Sequence, residues 1–256
     1  MTGRIHDAAA RGFEAAVERY ERGRPGYPDD AVTYLVDRLG IGEGSDLIEL
    51  GAGTGKLTEL LVHTGARIVA IEPVDGMRRA LERNVPTARV LGGTAEAIPL
   101  PHASADAAVA AQSFHWFDGD LALAEIHRVL RPEGRLGLVW NVRDEASDWS
   151  ERLTAILDRL AGDGPRYRTL RWRAAFEETT LFGPLHRQVS YHLHQVTREA
   201  FLDRVLSVSY VASAPEPDRR RVVEEVAQLL DEDPELAGRK EIVVPYRTDV
   251  YWCARR

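Results

Sequence analysis

The amino-acid sequence predicts an α/β fold with a doubly wound, mainly parallel sheet, helices on both faces and a helical cap. Short apolar runs alternate with amphipathic helical patterns between Ser45 and Asn141, and this alternation is typical of β-α-β units. Such apolar runs suit strands that helices bury from both sides. After Asn141 the sequence changes to charged helical segments, which we expect to form the cap.

Two helices are expected before the sheet. Phe13, Val17 and Tyr20 share one face of the first helix, which should stop near Gly23. The second helix follows the segment GYPDD and should end at Gly40, because glycine favours the turn that closes a helix. Its buried side is expected to carry Val32, Leu35, Val36 and Leu39.

Seven segments have the composition of strands. The five core strands are expected to be DLIEL, RIVAIE, TARVLG, ADAAVAAQ and GRLGLVWN. Residues 147–180 have helical patterns, LHRQVSYHLHQV (185–196) alternates as a strand does, and residues 197–237 return to helix. The chain closes with the strand EIVVPYRTDVYWCA (241–254). This order indicates a late hairpin whose connection has grown into a helical insertion.

Composition and charge exclude several classes of function. The 256 residues carry a formal net charge of −7, so no overall field attracts nucleic acid. A single cysteine, Cys253, rules out an internal disulfide and a multi-cysteine zinc cluster. We find neither a signal peptide nor an apolar stretch near the ~20 residues that cross a bilayer. The sequence therefore predicts a cytoplasmic protein with no nucleic-acid or membrane partner.

The segment LIELGAGTGKL (47–57) points to a ligand site. After the strand DLIEL the chain must turn sharply into a helix that we expect to start near Thr54. Gly51, Gly53 and Gly55 have no Cβ, so they permit positive φ angles and close approach of a ligand to the backbone. The free N–H groups of the new helix are expected to face that ligand.

A carboxylate follows at the end of the second strand. Glu72 lies 19 residues after Gly53, where an acidic side chain can accept both hydroxyls of a ribose. The alternative is that the glycines form only a tight turn and that Glu72 is a solvated strand end. The order strand, glycine turn, helix, strand and acidic residue favours nucleoside binding.

These motifs resemble those of class I S-adenosylmethionine-dependent methyltransferases. ELGAGTG is similar to their first motif and IEPVDGM to their second, an acidic ribose ligand followed by an apolar adenine contact. GGTAEAIPLPHASADAAVAAQSFHW resembles the third and fourth motifs, and EIHRVLRPEGRLGLVWN the fifth strand with its preceding helix. The resemblance covers about residues 40–142.

The resemblance implies a Rossmann-like sheet that binds S-adenosylmethionine (SAM) and releases S-adenosylhomocysteine. SAM has no phosphate, and its amino-acid end is zwitterionic, so backbone groups and Glu49 can meet it at the glycine turn. The cofactor contacts implied are Tyr20, Arg24, Glu49, Gly51, Ala52, Gly53, Glu72, Pro73, Met77, Ala95, Glu96 and Gln112.

A narrower resemblance concerns YERGRPGYP (20–28), AQSFHWFD (111–118) and YRTDVYWCAR, which are similar to the trans-aconitate methyltransferase-like branch, with its cantharidin-detoxifying relatives. The branch implies that the N-terminal segment folds over the cofactor. Tyr20, Arg24 and Tyr27 would then lie near the methionine end or the substrate entrance, with Arg24 pairing with a carboxylate. The alternative is that Tyr20 belongs to an apolar helix face and RPGYP is a stiff turn.

His115 and Trp116 follow the fourth strand, at the edge where parallel sheets present ligands. His115 could act as a general base or could only orient the substrate. A carboxylate acceptor needs no base, because it is already ionised at neutral pH. Trp116 is expected to form a pocket wall. Trp149 and Tyr210, in the cap, either line the substrate pocket or belong to the core.

The predicted organisation has three parts. Residues 1–142 hold an N-terminal lid helix and the cofactor-binding core, residues 143–184 a helical cap, and residues 185–256 the terminal strands with a helical insertion at 197–238. His192 with His194 could pinch a metal ion, but no further ligand is near in sequence, so no metal site is predicted.

We expect methyl transfer from SAM to a small molecule, at a carboxylate or a hydroxyl. An RNA-modifying methyltransferase is disfavoured by the acidic charge, and a nicotinamide oxidoreductase by the G-x-G-x-G spacing. A non-catalytic SAM-binding protein stays open, as do the acceptor and the oligomeric state.

Overall fold

A computed structural model describes Val17, Glu21 and residues 23–145 and 147–256 of the chain. The described part contains one seven-stranded sheet with the order β3-β2-β1-β4-β5-β7-β6. Strands β1 to β5 run parallel, and β7 is antiparallel to both β5 and β6. The strands are β1 Asp46–Leu50, β2 Arg67–Ile71, β3 Arg89–Leu91, β4 Ala105–Ala111, β5 Leu130–Arg143, β6 His186–Thr197 and β7 Glu241–Ala254.

Helices lie between the strands and in two insertions. They are α1 Asp29–Leu39, α2 Thr58–Leu61, α3 Asp75–Asn84, α4 Gly119–Val129, α5 Asp148–Asp158, α6 Ala174–Glu178, α7 Arg198–Leu206, α8 Ser209–Ala212 and α9 Glu216–Glu232. Short 3-10 turns occur at Val62–Thr64, Phe114–Trp116, Tyr167–Thr169 and Arg171–Arg173. The predicted doubly wound α/β fold and all seven predicted strands are confirmed. The first predicted helix, with Phe13 and Tyr20, falls mostly outside the described residues.

Helix α1 ends where the sequence predicts. Gly40 follows it with a φ of 67°, in the left-handed region that glycine adopts without a steric cost. Leu35 and Leu39 are buried in the core beside the sheet, as expected. Val32 and Val36 only pack against this core and remain partly exposed, because the apolar face of the helix is narrower than the pattern suggested.

The helix after the glycine turn begins later than predicted. Residues 51–57 form a series of turns, and α2 starts at Thr58 rather than near Thr54. The reason is that Gly51, Gly53 and Gly55 all have positive φ angles, of 64°, 60° and 92°, which a right-handed helix does not allow. Residues 51–57 therefore form a glycine loop that is longer than predicted.

The cap draws on both insertions. Helix α5 comes from the first insertion, and α7 and α9 come from the connection between β6 and β7. All three contribute to one apolar cluster, which contains Trp149, Leu153, Phe201 and Val226. Burying these side chains together makes one cap of two stretches that are far apart in sequence. Within the described residues, no helix has both the length and the apolar character that crossing a membrane would need.

Candidate active site

The predicted site residues meet at one edge of the sheet. Strands β1, β2, β4 and β5 run parallel, so their carboxyl ends lie side by side. Leu50 at the end of β1 is level with Ile71 at the end of β2, and Ala111 in β4 is level with Val139 in β5. This is the edge at which ligands bind in open α/β sheets.

The glycine loop packs tightly against its surroundings. A Cβ added at Gly51 would lie 2.7 Å from Cβ of Ser113, and one at Gly55 would overlap the side chain of Leu81. Any other residue at these two positions would therefore have to displace the protein itself, in addition to adopting a strained positive φ. Internal packing is thus one reason for these glycines.

The N–H groups of Gly51, Ala52 and Gly53 are bonded within the protein, and the expected contact of a ligand with the N–H groups of the following helix stays a prediction. Gly51 and Ala52 both donate to the carbonyl of Ile71, at 2.8 and 3.2 Å. Gly53 donates to Oε2 of Glu72 at 2.9 Å. Because these donors are used inside the protein, a pyrophosphate would find few of the N–H groups it needs. A cationic ammonium group, which needs acceptors, suits this loop better.

Glu72 holds the glycine loop in place. Its side chain is 5% exposed, and Oε1 accepts from the N–H of Val74 at 2.9 Å while Oε2 accepts from Gly53. Arg78 donates to the carbonyls of Glu72 and Pro73, at 2.9 Å each. Burial raises the pKa of Glu72, and the two backbone donors oppose that rise. The carboxylate lies between β2 and the glycine loop. Its role as the acceptor of the ribose hydroxyls stays a prediction.

Glu49 is the second buried carboxyl group at this edge. Its side chain is 1% exposed, and the hydroxyl of Thr58 donates to Oε2 at 2.6 Å. Burial raises the pKa of Glu49 to about 8; the Thr58 hydrogen bond opposes this, and the charge of Glu72 adds to it. At neutral pH the free protein therefore holds Glu49 largely protonated. A cation bound beside it would favour the ionised form.

The other predicted cofactor contacts lie around this loop. Ala52, Met77 and Ala95 are buried, with exposed fractions of 8%, 1% and 4%. Glu96 accepts from the N–H of Asp118 at 2.9 Å. Gln112 has a φ of 58°, an uncommon angle outside glycine that often marks a functional site. Their contacts with a cofactor stay predictions.

Residues 23–28, which we call the strap, cross this edge. Arg24 donates to the carbonyl of Ser207 at 3.2 Å, and Asn141 donates to the carbonyl of Gly26 at 2.7 Å. The strap is thereby held to the end of α7 and to β5. Tyr27 packs, partly buried, against the core cluster that contains α1, so the structure gives it an apolar neighbourhood. Tyr20 lies outside the described residues.

A cavity of about 170 Å³ lies between the ends of β4 and β5 and the cap. Gln112, His115, Trp116 and Tyr210, all predicted site residues, line it. Five arginines also line it, with Asp158 as the one acidic neighbour in the lining of this described cavity. We call it the arginine chamber, and its arginines are Arg24, Arg143, Arg166, Arg168 and Arg204.

Several of these guanidinium groups have donors that no acceptor among the described residues uses. Arg143 donates from Nη2 to Thr154 at 2.6 Å, and burial lowers its pKa. Within the described part of the chain, Nε of Arg143, Nε of Arg166 and both Nε and Nη1 of Arg204 are buried without a hydrogen-bond partner. Buried polar groups are nearly always hydrogen-bonded in native proteins. Such donors therefore indicate a site for an anion.

The ring of His115 is held in one tautomer. Nε1 of Trp140 donates to Nδ1 of His115 at 3.2 Å, so the proton of the neutral imidazole is on Nε2. Burial, with the positive charge of Arg24, lowers the pKa of His115 to about 3. The ring is neutral at physiological pH and presents an N–H donor. This geometry favours the orienting role over the general-base role.

The structure corrects one predicted substrate contact. Trp149 is 3% exposed and lies in the core of the cap, where its ring centroid is 6.2 Å from that of Phe201. It is not part of the lining of the arginine chamber or of two neighbouring cavities among the described residues, because α5 turns its apolar face towards α7 and α9. Tyr210 does lie in the wall of the arginine chamber, where burial raises its pKa.

Sequence reasoning missed most of the arginines. Arg143 is at the end of β5, Arg166 and Arg168 are in the first insertion, and Arg204 is in α7. No local motif joins them, and only the folding of both insertions over one edge brings them together.

Among the described residues, no group of three or more His, Cys, Asp or Glu side chains could hold a metal ion.

Comparisons with known proteins identify the fold and the family. Residues 48–138 match a family model described as a methyltransferase domain. An uncharacterized methyltransferase of Mycobacterium tuberculosis is 40% identical over 236 residues, which cover 92% of each chain. An uncharacterized methyltransferase-like protein of Schizosaccharomyces pombe is 34% identical over 237 residues, again 92% of each chain.

A solved structure has the same fold. The putative type II methyltransferase of Anaeromyxobacter dehalogenans superposes with a TM-score of 0.61 and 26% identity, covering 91% of this chain and 97% of that one. The similarity to these three proteins covers about nine-tenths of this chain.

Proposed function

Because the chain belongs to the methyltransferase family, we propose that this enzyme transfers a methyl group from SAM to a carboxylate of a small anionic molecule. The arginine chamber is the observation that carries the choice of acceptor. It opens beside His115, next to the edge where the sheet presents ligands, and it contains buried guanidinium donors with no acceptor among the described residues. The trans-aconitate-like branch agrees with this choice by resemblance alone.

The residues around the glycine loop are suited to hold SAM. Glu72, at the end of β2, would accept the ribose hydroxyls, and Glu49 would face the cationic amino-acid end. The N–H groups of residues 51–53 are bonded within the protein, which leaves the loop better suited to an ammonium group than to a pyrophosphate. Met77, Ala95 and Gln112 would contact the adenine side.

The chamber would bind and orient the acceptor. Guanidinium groups bind carboxylates through charge-assisted hydrogen bonds, and the Nε2–H of His115 can donate to one acceptor oxygen. When bound, SAM supplies a methyl group on positively charged sulfur, and transfer to a carboxylate oxygen leaves neutral sulfur and a methyl ester. The residues of the chamber act by alignment, since a carboxylate is ionised at neutral pH. The ester has one charge fewer, so the arginines hold the product less tightly.

A hydroxyl acceptor is the second candidate, and the state of His115 disfavours it. Removing a hydroxyl proton calls for a base with a pKa near the working pH. His115 already carries its proton on Nε2, because Nδ1 accepts from Trp140, and its pKa is lowered to about 3. An RNA substrate is disfavoured by the net charge of −7.

The test compares Arg204→Gln with Arg83→Gln. Arg83 is exposed at the end of α3, so its substitution makes the same charge change away from the chamber. Methylation of mono-, di- and tricarboxylic acids is followed with SAM labelled in the methyl group. We expect Arg204→Gln to raise the acceptor KM by about tenfold or more, as removal of a charged hydrogen bond does, with SAM affinity unchanged.

Two outcomes would contradict the proposal. One is that neutral alcohols or amines are methylated as well as the carboxylic acids. The other is that the acceptor KM of Arg204→Gln equals that of Arg83→Gln. Calorimetric titration with SAM separates these results from a failure of the donor site, since each variant should bind SAM as the wild-type protein does.

A further inference from the structure

A second, larger cavity lies on the other side of the wall formed by Val142, Arg143, Tyr167 and Arg168. Its volume is about 540 Å³, and the face of β6 and β7 forms its floor. We call it the outer cavity. None of the residues that we assign to the donor site lines it, and neither does His115.

The outer cavity is also rich in arginine. Arg143, Arg168, Arg173, Arg187 and Arg247 line it, together with two acidic residues, Asp144 and Glu145. Asp249 lies beneath and is fully buried. Five guanidinium groups thus surround three carboxylates, in a chain whose overall charge is −7. The local excess of positive charge is typical of an anion-binding site.

Two of these arginines are fixed in position by Asp249. Nε of Arg187 donates to its Oδ1 at 3.0 Å, and Nε and Nη2 of Arg247 donate to its Oδ2 at 3.1 and 3.0 Å. The hydroxyl of Tyr167 donates to the same Oδ2 at 2.6 Å. Asp249 does not use the Nη1 groups. Because Asp249 already fixes these two guanidinium groups, they lose little side-chain freedom when a ligand binds.

An exposed apolar strip continues from the cavity along the same face of the sheet. Tyr191 lines the cavity and is 68% exposed, Leu193 is 72% exposed and Val243 is 47% exposed. Tyr191 is paired with Arg247 and Leu193 with Pro245, so the strip begins beside the fixed arginines. Its length is about 13 Å over four residues of strand. A contiguous exposed apolar patch beside polar residues is a feature of binding sites on protein surfaces.

We propose that the outer cavity and the strip bind an amphiphilic anion as a free molecule. Arg173, Arg187 and Arg247 hold its carboxylate or phosphate head, and its hydrocarbon chain lies on Tyr191, Leu193 and Val243. The recessed head site and the net charge of −7 both oppose docking on an anionic membrane. In a symmetric dimer through this face, Arg187 and Arg247 of one copy would lie against the same two arginines of the other copy. Repulsion between these like charges disfavours such a dimer.

Calorimetric titration with octyl phosphate below its micelle concentration tests the proposal. Inorganic phosphate and octyl glucoside serve as probes of the head and the chain alone. We expect octyl phosphate to bind about tenfold more tightly than inorganic phosphate or better, because each buried methylene adds about 0.8 kcal/mol. Octyl glucoside should bind more weakly than octyl phosphate, since it carries no charge for the arginines.

Matched variants locate the ligand. Leu193→Ser is expected to weaken octyl phosphate binding by about threefold or more, while Leu121→Ser, a change at a 56% exposed leucine on α4, should have no effect. Arg173→Gln should weaken it as well, with Arg83→Gln as its control. Leu193 and Arg173 are exposed, so both variants should fold, and circular dichroism checks this.

Four results would overturn the proposal. The first is that octyl phosphate binds no more tightly than inorganic phosphate. The second is that Leu193→Ser and Leu121→Ser have the same affinity for octyl phosphate. If the protein bound vesicles of anionic phospholipid but not monomeric octyl phosphate, the ligand would be a membrane surface and not a free molecule. A loss of dimer in sedimentation of Leu193→Ser, with octyl phosphate binding intact, would assign the strip to a second copy. None of these readouts depends on methyl transfer.

Discussion

The hydrogen bond between Trp140 and His115 gives a prediction that separates orientation from acid-base chemistry. Trp140 is fully buried, and its indole N–H donates to Nδ1 of His115 at 3.2 Å. Trp140→Phe keeps an aromatic ring in the core but removes that donor. The imidazole can then move its proton to Nδ1, which would leave a bare nitrogen facing the acceptor carboxylate.

The expected size of the effect follows from the one hydrogen bond lost. A neutral intramolecular hydrogen bond contributes about 0.5–1.5 kcal/mol net, and at 1.36 kcal/mol per factor of ten this is about 2- to 13-fold. We expect kcat/KM for the acceptor to fall by that factor, through KM, while SAM affinity is unchanged. The pKa of His115 should stay low, because burial and the positive charge of Arg24, which lower it to about 3, both remain in the variant.

Trp172→Phe is the matched control. Trp172 is also buried and packs on Trp140, with ring centroids 4.5 Å apart, but its N–H donates to the carbonyl of Tyr167. Both variants lose similar core volume and one indole donor. Nitrogen-15 NMR of histidine reports the tautomer, and steady-state kinetics report KM. Equal losses of kcat/KM in the two variants, or a wild-type spectrum with the proton on Nδ1, would refute the reasoning.

Two further predictions concern the carboxyl groups beside the glycine loop. Glu72→Gln should lose one of the two charged hydrogen bonds to Gly53 and Val74, worth about 1.5–3 kcal/mol, so we expect Tm to fall by about 3–12 °C and SAM affinity to fall at least about tenfold. Glu49, with a pKa of about 8 in the free protein, must lose its proton to face a cation. The association constant of SAM should therefore rise with pH up to about 8, by at most about tenfold per pH unit, and level off above it.

Controls for these two predictions come from the same helix and the same site. Glu82→Gln, at an exposed position of α3, should leave Tm and SAM affinity unchanged. Glu49→Gln should remove the pH dependence of SAM binding between pH 6 and 8. Calorimetry in two buffers measures the proton released on binding. A SAM affinity that is independent of pH in the wild-type protein would show that Glu49 does not ionise in the complex.

The sequence was sufficient for the sheet because strand patterns are local. Each of the seven strands is a short apolar or alternating run, and the antiparallel hairpin of β6 and β7 followed from strand, helices and strand in that order. The start of the helix after the glycine loop was misplaced by four residues, from Thr54 to Thr58, because spacing alone does not show how many glycines adopt positive φ angles.

The candidate site was less accessible to sequence reasoning, for a physical reason. Glu72 was found from its place at the end of β2, but its bond to the N–H of Gly53 is a tertiary contact that no pattern records. The same holds for the bond from Trp140 to His115, and for the arginines that two separate insertions bring to one chamber. Trp149 was misassigned because an aromatic residue in a cap suits a pocket wall and a core equally well.

The most direct test of the account identifies the chemical group that receives the methyl. The protein is incubated with SAM carrying a carbon-13 methyl group and a mixture of small metabolites, and the labelled product is isolated and analysed by NMR. We predict a methyl ester, which alkali hydrolyses to labelled methanol and a carboxylic acid with at least one further anionic group. Label on a nitrogen, a carbon or a neutral hydroxyl oxygen would contradict the role assigned to the arginine chamber.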